Sequence, residues 1–149
     1  MGRSKIIILA PLLVALLIVG ACSNSVWDEL PSAISSFISE YFPGMGVSSY
    51  SEDEDSYRVQ VRNGATLVFD KEYHWTEVEG NGVPLPEVFM YDQLPPALYN
   101  YLQSIEQQAG VYGVKRDKDY YKLTMHDTVI TYDISTGKIT YPNGSTVEP

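Results

Sequence analysis

Residues 94–102 read LPPALYNYL, and residues 30–38, 64 positions earlier, read LPSAISSFI. On that offset Ala33 falls on Ala97, Phe37 on Tyr101, Ile38 on Leu102, Val47 on Val111 and Tyr57 on Tyr121. Val59 and Val61 fall on Leu123 and Met125. A one-residue deletion near Gly64 then aligns Leu67 with Ile130, Phe69 with Tyr132 and Asp70 with Asp133. An extra residue in the next turn brings Trp75 onto Ile139. Apolar positions match apolar positions in the same phase, so the chain is expected to contain one structural unit written twice.

Each copy opens with a helical pattern. Leu30, Ala33, Ile34, Phe37, Ile38, Tyr41 and Phe42 recur at three and four, as do Leu94, Ala97, Leu98, Tyr101, Leu102 and Ile105. That spacing lays an apolar stripe on one face of a helix. Pro31 and Pro95 fall in the first turn, where a missing N–H costs nothing. Pro43-Gly44 and Ala109-Gly110 are the expected stops. Strand patterns follow. Tyr57, Val59 and Val61 alternate with Arg58, Gln60 and Arg62, and Tyr121, Leu123 and Met125 with Lys122, Thr124 and His126. Period two with one polar face predicts antiparallel sheet wetted on one side. Asn63-Gly64 is a hairpin signal, since tight turns of that hand need positive φ. The fold class predicted is α+β: two tandem units, each a helix packed on a three- to four-stranded antiparallel sheet. The units span 30–78 and 94–141. Residues 79–93 join them as a loop, with Val88, Phe89 and Tyr91 suggesting a short packed segment, and 142–149 form a tail.

The start of the chain has a different logic. Arg3 and Lys5 precede an apolar run from Ile6 to Val19, broken only by Pro11. This run is shorter than the roughly 20 residues a spanning helix needs. Small residues then lead to Cys22, the only cysteine. The pattern is that of a secretory signal over 1–21. Val19-Gly20-Ala21-Cys22 resembles the lipobox of bacterial lipoproteins, which implies cleavage after Ala21, a lipid on Cys22 and a membrane partner reached through it. Residues 22–29 become the lipidated tether. Ser23 is not the acidic residue that known sorting rules associate with inner-membrane retention. The expectation is therefore a Gram-negative-type cell envelope, with the outer membrane favoured over the inner.

Charge narrows the partners. The full chain carries a formal −9. Without Arg3 and Lys5, eight basic residues face 19 acidic ones, a balance of −11. Such a field repels phosphate backbones and argues against nucleic acid. The densest run is Ser51-Glu52-Asp53-Glu54-Asp55, which lacks the spacing and glycine of an EF-hand loop. Its counterpart is Lys115-Arg116-Asp117-Lys118-Asp119. Two readings of these turns stand. They are solvated surface, or Glu52, Asp53, Glu54 and Asp55 together with Lys115, Arg116 and Lys118 steer a protein partner by complementary charge. His74 and His126 are the only histidines, and neither HExxH nor CxxC is present. The sequence therefore predicts no enzyme, no cofactor and no metal. Tyr57, Tyr121 and Tyr132 fall on apolar phases, whereas Tyr50, Tyr73, Tyr112 and Tyr120 fall at turns or strand ends.

LPSAISSFISEYFPG, YRVQVRNG and LVFDKEYHWTEV together resemble the PepSY-like, β-lactamase-inhibitor-like envelope proteins. Residues 94–139 repeat the pattern without its Phe-Pro-Gly stop or Asn-Gly turn. The resemblance implies a tandem fold outside the cytoplasm and a non-catalytic role in binding, or inhibiting, another extracytoplasmic protein such as a peptidase. The alternative is an envelope scaffold or glycan-binding module. The shared motif is a folding motif, so it carries over no functional residue.

Overall fold

A computed structural model describes residues 26–149. The signal segment 1–21, Cys22 and residues 23–25 lie outside the described residues. After a 3₁₀ turn at Trp27–Glu29, the order is α1 (Ser32–Tyr41), β1 (Val47–Glu52), β2 (Ser56–Val61), β3 (Thr66–Asp70) and β4 (Trp75–Glu79). Then come α2 (Glu87–Gln93), α3 (Pro96–Ser104), β5 (Val111–Arg116), β6 (Tyr120–Met125), β7 (Val129–Asp133), β8 (Ile139–Thr140) and β9 (Thr146–Val147). None of the described helices is long and apolar enough to cross a membrane.

The class is α+β, as expected, but the sheet is continuous. All nine strands join one antiparallel sheet in chain order, β1 to β9. The seam between the expected units is itself a strand pair: β4 meets β5 with Glu77 opposite Lys115 and Glu79 opposite Gly113. The hairpins on either side share their register. Tyr50 opposes Val59 in β1–β2, and Val114 opposes Leu123 in β5–β6, 64 residues on. Both pairs bulge at matching places, between Val47 and Ser49 and between Val111 and Gly113. Tyr57 opposes Phe69, and Tyr121 opposes Tyr132.

The alternation predicted for the strands sorts the two faces. Tyr57, Val59, Val61, Leu67, Phe69, Val114, Leu123, Met125, Ile130 and Tyr132 are buried on one face. Against them pack Leu30, Ile34, Ile38 and Tyr41 from the α1 region, Phe89 and Met90 from α2, and Leu94, Leu98 and Leu102 at α3. The helical stripe is narrower than expected. Ala33, Ala97 and Ile105 are exposed. A 3.6-residue period turns Ala33 and Ala97 away from a sheet that the positions at 34 and 98 face squarely.

Three local expectations are corrected. The linker 79–93 contains α2, whose Phe89 ring lies 5.1 Å from Trp75, 5.5 Å from Tyr41 and 6.0 Å from Phe37. The packed segment expected there is thus real at Phe89, which joins the core, while Val88 and Tyr91 are exposed. The second helix ends at Ser104, before Ala109-Gly110. There the Gln107 amide donates to Leu102 O at 2.7 Å and the Glu106 amide to Gln103 O at 3.0 Å. Glu106 carries φ 56. This is a Schellman stop with a non-glycine residue in the left-handed position. Finally, the tail 142–149 contributes β9, which pairs with β8 across a turn closed by Gly144 at φ 88.

Candidate functional site

In a meander, alternate turns share one end of the sheet. Turns 53–55, 71–74, 117–119 and 134–138 therefore project together. The acidic run stands there as expected. Glu52 closes β1 and pairs with Lys71 at 3.0 Å, while Asp53, Glu54 and Asp55 are exposed at the tip. Among the described residues, no group of three or more His, Cys, Asp and Glu is arranged to hold a metal ion.

The basic counterpart is built differently. Lys115 and Arg116 belong to strand β5 rather than to the turn. Lys115 bonds Glu77 at 3.2 Å on the uncovered face. Arg116 folds back onto Trp75: its guanidinium carbon lies 3.8 Å from the ring centroid, and its Nε donates to Trp75 O at 2.8 Å. Such stacking favours a planar guanidinium over solvent. Of the three cations, Lys118 alone stands in the turn, exposed between the exposed Asp117 and Asp119. The Asp117 carboxylate accepts the amides of Asp119 at 2.7 Å and Tyr120 at 2.9 Å, and these bonds hold its pKa below the ordinary range.

Asp133 does the same for turn 134–138. It accepts from the Ser135 hydroxyl at 2.7 Å, the Ser135 amide at 2.9 Å and the Thr136 amide at 3.1 Å, and its pKa is likewise lowered. A depressed folded pKa stabilises above the unfolded value, about 3.9, and that contribution is lost as pH falls through the folded value. The thermal midpoint of the wild type is therefore expected to fall more steeply below about pH 4 than that of an Asp117→Ala/Asp133→Ala variant. Melting curves followed by circular dichroism at stepped pH check this, and parallel profiles would refute it.

Among the described residues, both histidines face carboxylates and neither bonds a hydroxyl. His74 is 64% exposed at the side chain and faces Asp70 at 3.4 Å and Glu72 at 3.7 Å. His126 is 80% exposed beside Asp127. Of the tyrosines, Tyr57 and Tyr132 are buried and Tyr121 is half-buried. Tyr73, held at φ 67, stacks with Tyr57 at 5.2 Å, and Tyr50 stacks with Tyr57 at 6.2 Å.

The sheet gathers what the sequence left apart. Across the uncovered face, Arg58 opposes Val68, Val68 opposes Glu77, Glu77 opposes Lys115, Lys115 opposes Lys122 and Lys122 opposes Thr131. This row lines a groove of about 460 Å³, with Tyr120 as an exposed wall. Arg58 and Lys122 stood on the polar phases of their strands. Their phase was the one signal in the sequence. Their alignment depends on the β4–β5 pairing, which periodicity does not reveal.

A helix-backed antiparallel meander with one uncovered, charged face defines a class of small α+β protein. The chain belongs to the PepSY-like family: the model described as "Putative beta-lactamase-inhibitor-like, PepSY-like" matches residues 26–74 and 55–140. No curated protein matches. Three solved Bacteroides structures, all described as putative periplasmic proteins, are similar to it. One, of the DUF2874 family from Bacteroides vulgatus, is 26% identical with a TM-score of 0.61, over 80% of this chain and 89% of that one. A second, from Bacteroides thetaiotaomicron and described as calcium-regulated, is 26% identical at a TM-score of 0.61, over 72% and 86%. A third, from Bacteroides vulgatus and of unknown function, shares the fold at 23% identity and a TM-score of 0.60, over 76% and 93%.

Proposed function

We propose that this chain is a non-catalytic binding module of the cell envelope. Lipid on Cys22 tethers it to a membrane, and it offers the uncovered face of its sheet to another extracytoplasmic protein. The observation that carries the reading is the one-sidedness of the molecule. The helices pack on one face, while the other presents Arg58, Glu77, Lys115, Lys122 and Thr124 to solvent or partly so. An open polar sheet backed by a rigid core is a preorganised surface, which lowers the ordering cost of binding. The periplasmic relatives support the compartment. The recurring strand registers support reading 30–78 and 94–141 as one unit present twice. The shared seam at β4–β5 makes the pair a single body. Glu52, Asp53, Glu54 and Asp55 then act from the end of the sheet, whereas Lys115 acts from its face and Lys118 from the neighbouring turn. Restraint of an enzyme, a peptidase above all, is the form of binding that the family resemblance implies.

Two measurements test this. Cys22→Ser is expected to shift the protein from the membrane to the soluble fraction and to remove the lipid mass by mass spectrometry. A photo-crosslinking residue at Thr124, on the uncovered face, is expected to capture a partner in intact cells, and one at Ala97, on the exposed side of α3, is not. Capture from Ala97 alone would sink the reading. Titration against the captured enzyme's activity decides whether binding inhibits.

A further inference from the structure

We infer that the groove across β2–β7 is a receptor for a short acidic stretch of an extracytoplasmic polypeptide, whose carboxylates are taken by Arg58, Lys115 and Lys122. This deepens the binding reading and rests on it.

The charges make the argument. The chain is strongly acidic, yet the groove carries four cations, Arg58, Lys115, Arg116 and Lys122, against two carboxylates, Glu77 and Asp117. Lys115 and Lys122 stand directly opposite each other on paired strands. Like charges so placed are destabilising, and nothing in the packing of a solvated face requires them. Glu77 bonds Lys115 alone. Among the described residues, Arg58 and Lys122 have no acidic partner within bonding distance. Two unpaired cations and one shared cation lie on a single row of the sheet.

The geometry fits an extended peptide. Neighbouring strands stand roughly 4.8 Å apart, so the row from Arg58 to Lys122 crosses about 19 Å, the reach of roughly six extended residues. Val68 forms an apolar floor, and the Tyr120 ring, 46% exposed, forms a wall. Thr76 is the extra residue of the β3–β4 bulge beside them, and bulges of this kind re-aim side chains next to sites. A second hollow of about 260 Å³ continues the groove past Glu79 and Thr124.

Charge also selects among anions. Screening confines the groove's field to about 8 Å at physiological salt. A short acidic segment feels the groove on contact, whereas a long polyanion or an anionic bilayer also meets the negative remainder of the molecule.

The test uses the full chain in detergent micelles and fluorescence anisotropy with the labelled peptide (Glu-Val)₃. The peptide is expected to bind, and (Gln-Val)₃ to bind at least about tenfold more weakly. Arg58→Gln/Lys122→Gln leaves the Lys115–Glu77 pair intact and is expected to weaken (Glu-Val)₃ about tenfold. Its melting temperature is expected to be no lower than that of the wild type, since the change also relieves the repulsion between Lys122 and Lys115, and this separates lost binding from lost folding. Equal binding of the two peptides, an unaffected double variant, or binding only to phosphatidylglycerol vesicles or to a second copy of the chain would overturn the receptor. Crosslinks from Thr124 that persist in any of those cases would leave the binding module standing, so the two readings fail separately.

Discussion

Phe89→Ala is expected to cost about 3–5 kcal/mol of unfolding free energy while leaving a single cooperative transition. Phe89 is fully buried. Its ring meets Trp75 from the first half of the sheet and Phe37 and Tyr41 from α1, all edge to face. Such pairs add about 0.5–1.5 kcal/mol to what burial alone contributes. Polar bonds fix the same helix: Trp75 Nε1 donates to Gln93 Oε1 at 2.8 Å, Gln93 Nε2 to Tyr41 Oη at 2.8 Å, and Tyr41 Oη to Asp92 Oδ2 at 3.1 Å. Truncating Phe89 therefore opens a cavity under three elements that have little freedom to close it. Val88, its neighbour, is 50% exposed, and Val88→Ala is expected to stay within about 0.5 kcal/mol. Urea titration followed by tryptophan fluorescence and by far-ultraviolet circular dichroism checks both. A Phe89→Ala loss below about 1 kcal/mol, or two separated transitions, would mean that α2 is a passive linker and that the halves fold apart.

What the sequence revealed and what it concealed divide along one physical line. Features set by neighbours in the chain were legible. The strands declared themselves by period two, with Tyr57, Val59 and Val61 inward and Arg58 outward. The first helix declared its end through Pro43-Gly44, with Gly44 at φ 77. Features set by distant partners were not. Val88, Phe89 and Tyr91 marked a packed segment, but its helical form was concealed among Pro84, Pro86 and Asn81, because tertiary seating, rather than propensity, holds so short a helix. The stop of α3 hides because its left-handed position is Glu106, where sequence rules look for glycine. Strand β9 is two residues long and exists by pairing with β8. Arg116 was expected to project with the turn, and it lies on Trp75, 41 residues away. The groove is the largest case. Arg58, Lys115 and Lys122 are ordinary polar-phase residues until the β4–β5 seam aligns them, and that seam closes over a connection containing two helices.

That seam has a narrow point, and it yields the second large effect. Gly80→Ala is expected to destabilise by about 3 kcal/mol, the upper part of the range for overpacked sites. Gly80 ends β4's path, and its amide donates to Tyr112 O at 2.7 Å. The chain then reverses at once through Asn81 at φ 56 and Gly82 at φ 90, and the Val83 amide returns to Gly80 O at 3.3 Å. A methyl group at Gly80 would meet Val83 O at 2.0 Å and Tyr112 O at 2.9 Å. Both are backbone atoms, so neither can rotate aside as a side chain would. Relief requires opening the turn or parting Gly80 from β5, and either loosens the join between the two halves of the sheet. Gly82→Ala supplies the contrast. Nothing lies within 4 Å of its added carbon, so its cost is conformational alone, about 1–2 kcal/mol for a left-handed alanine. Space, rather than backbone freedom, is then what glycine supplies at position 80. Urea midpoints order the two variants, and hydrogen exchange at the Leu85 amide, bonded to Val111 O at 2.8 Å, reports where the damage falls. Faster exchange there in Gly80→Ala but not in Gly82→Ala is the expected pattern. A larger loss from Gly82→Ala would show that the turn's handedness, and not the closeness of the seam, governs how the halves are joined.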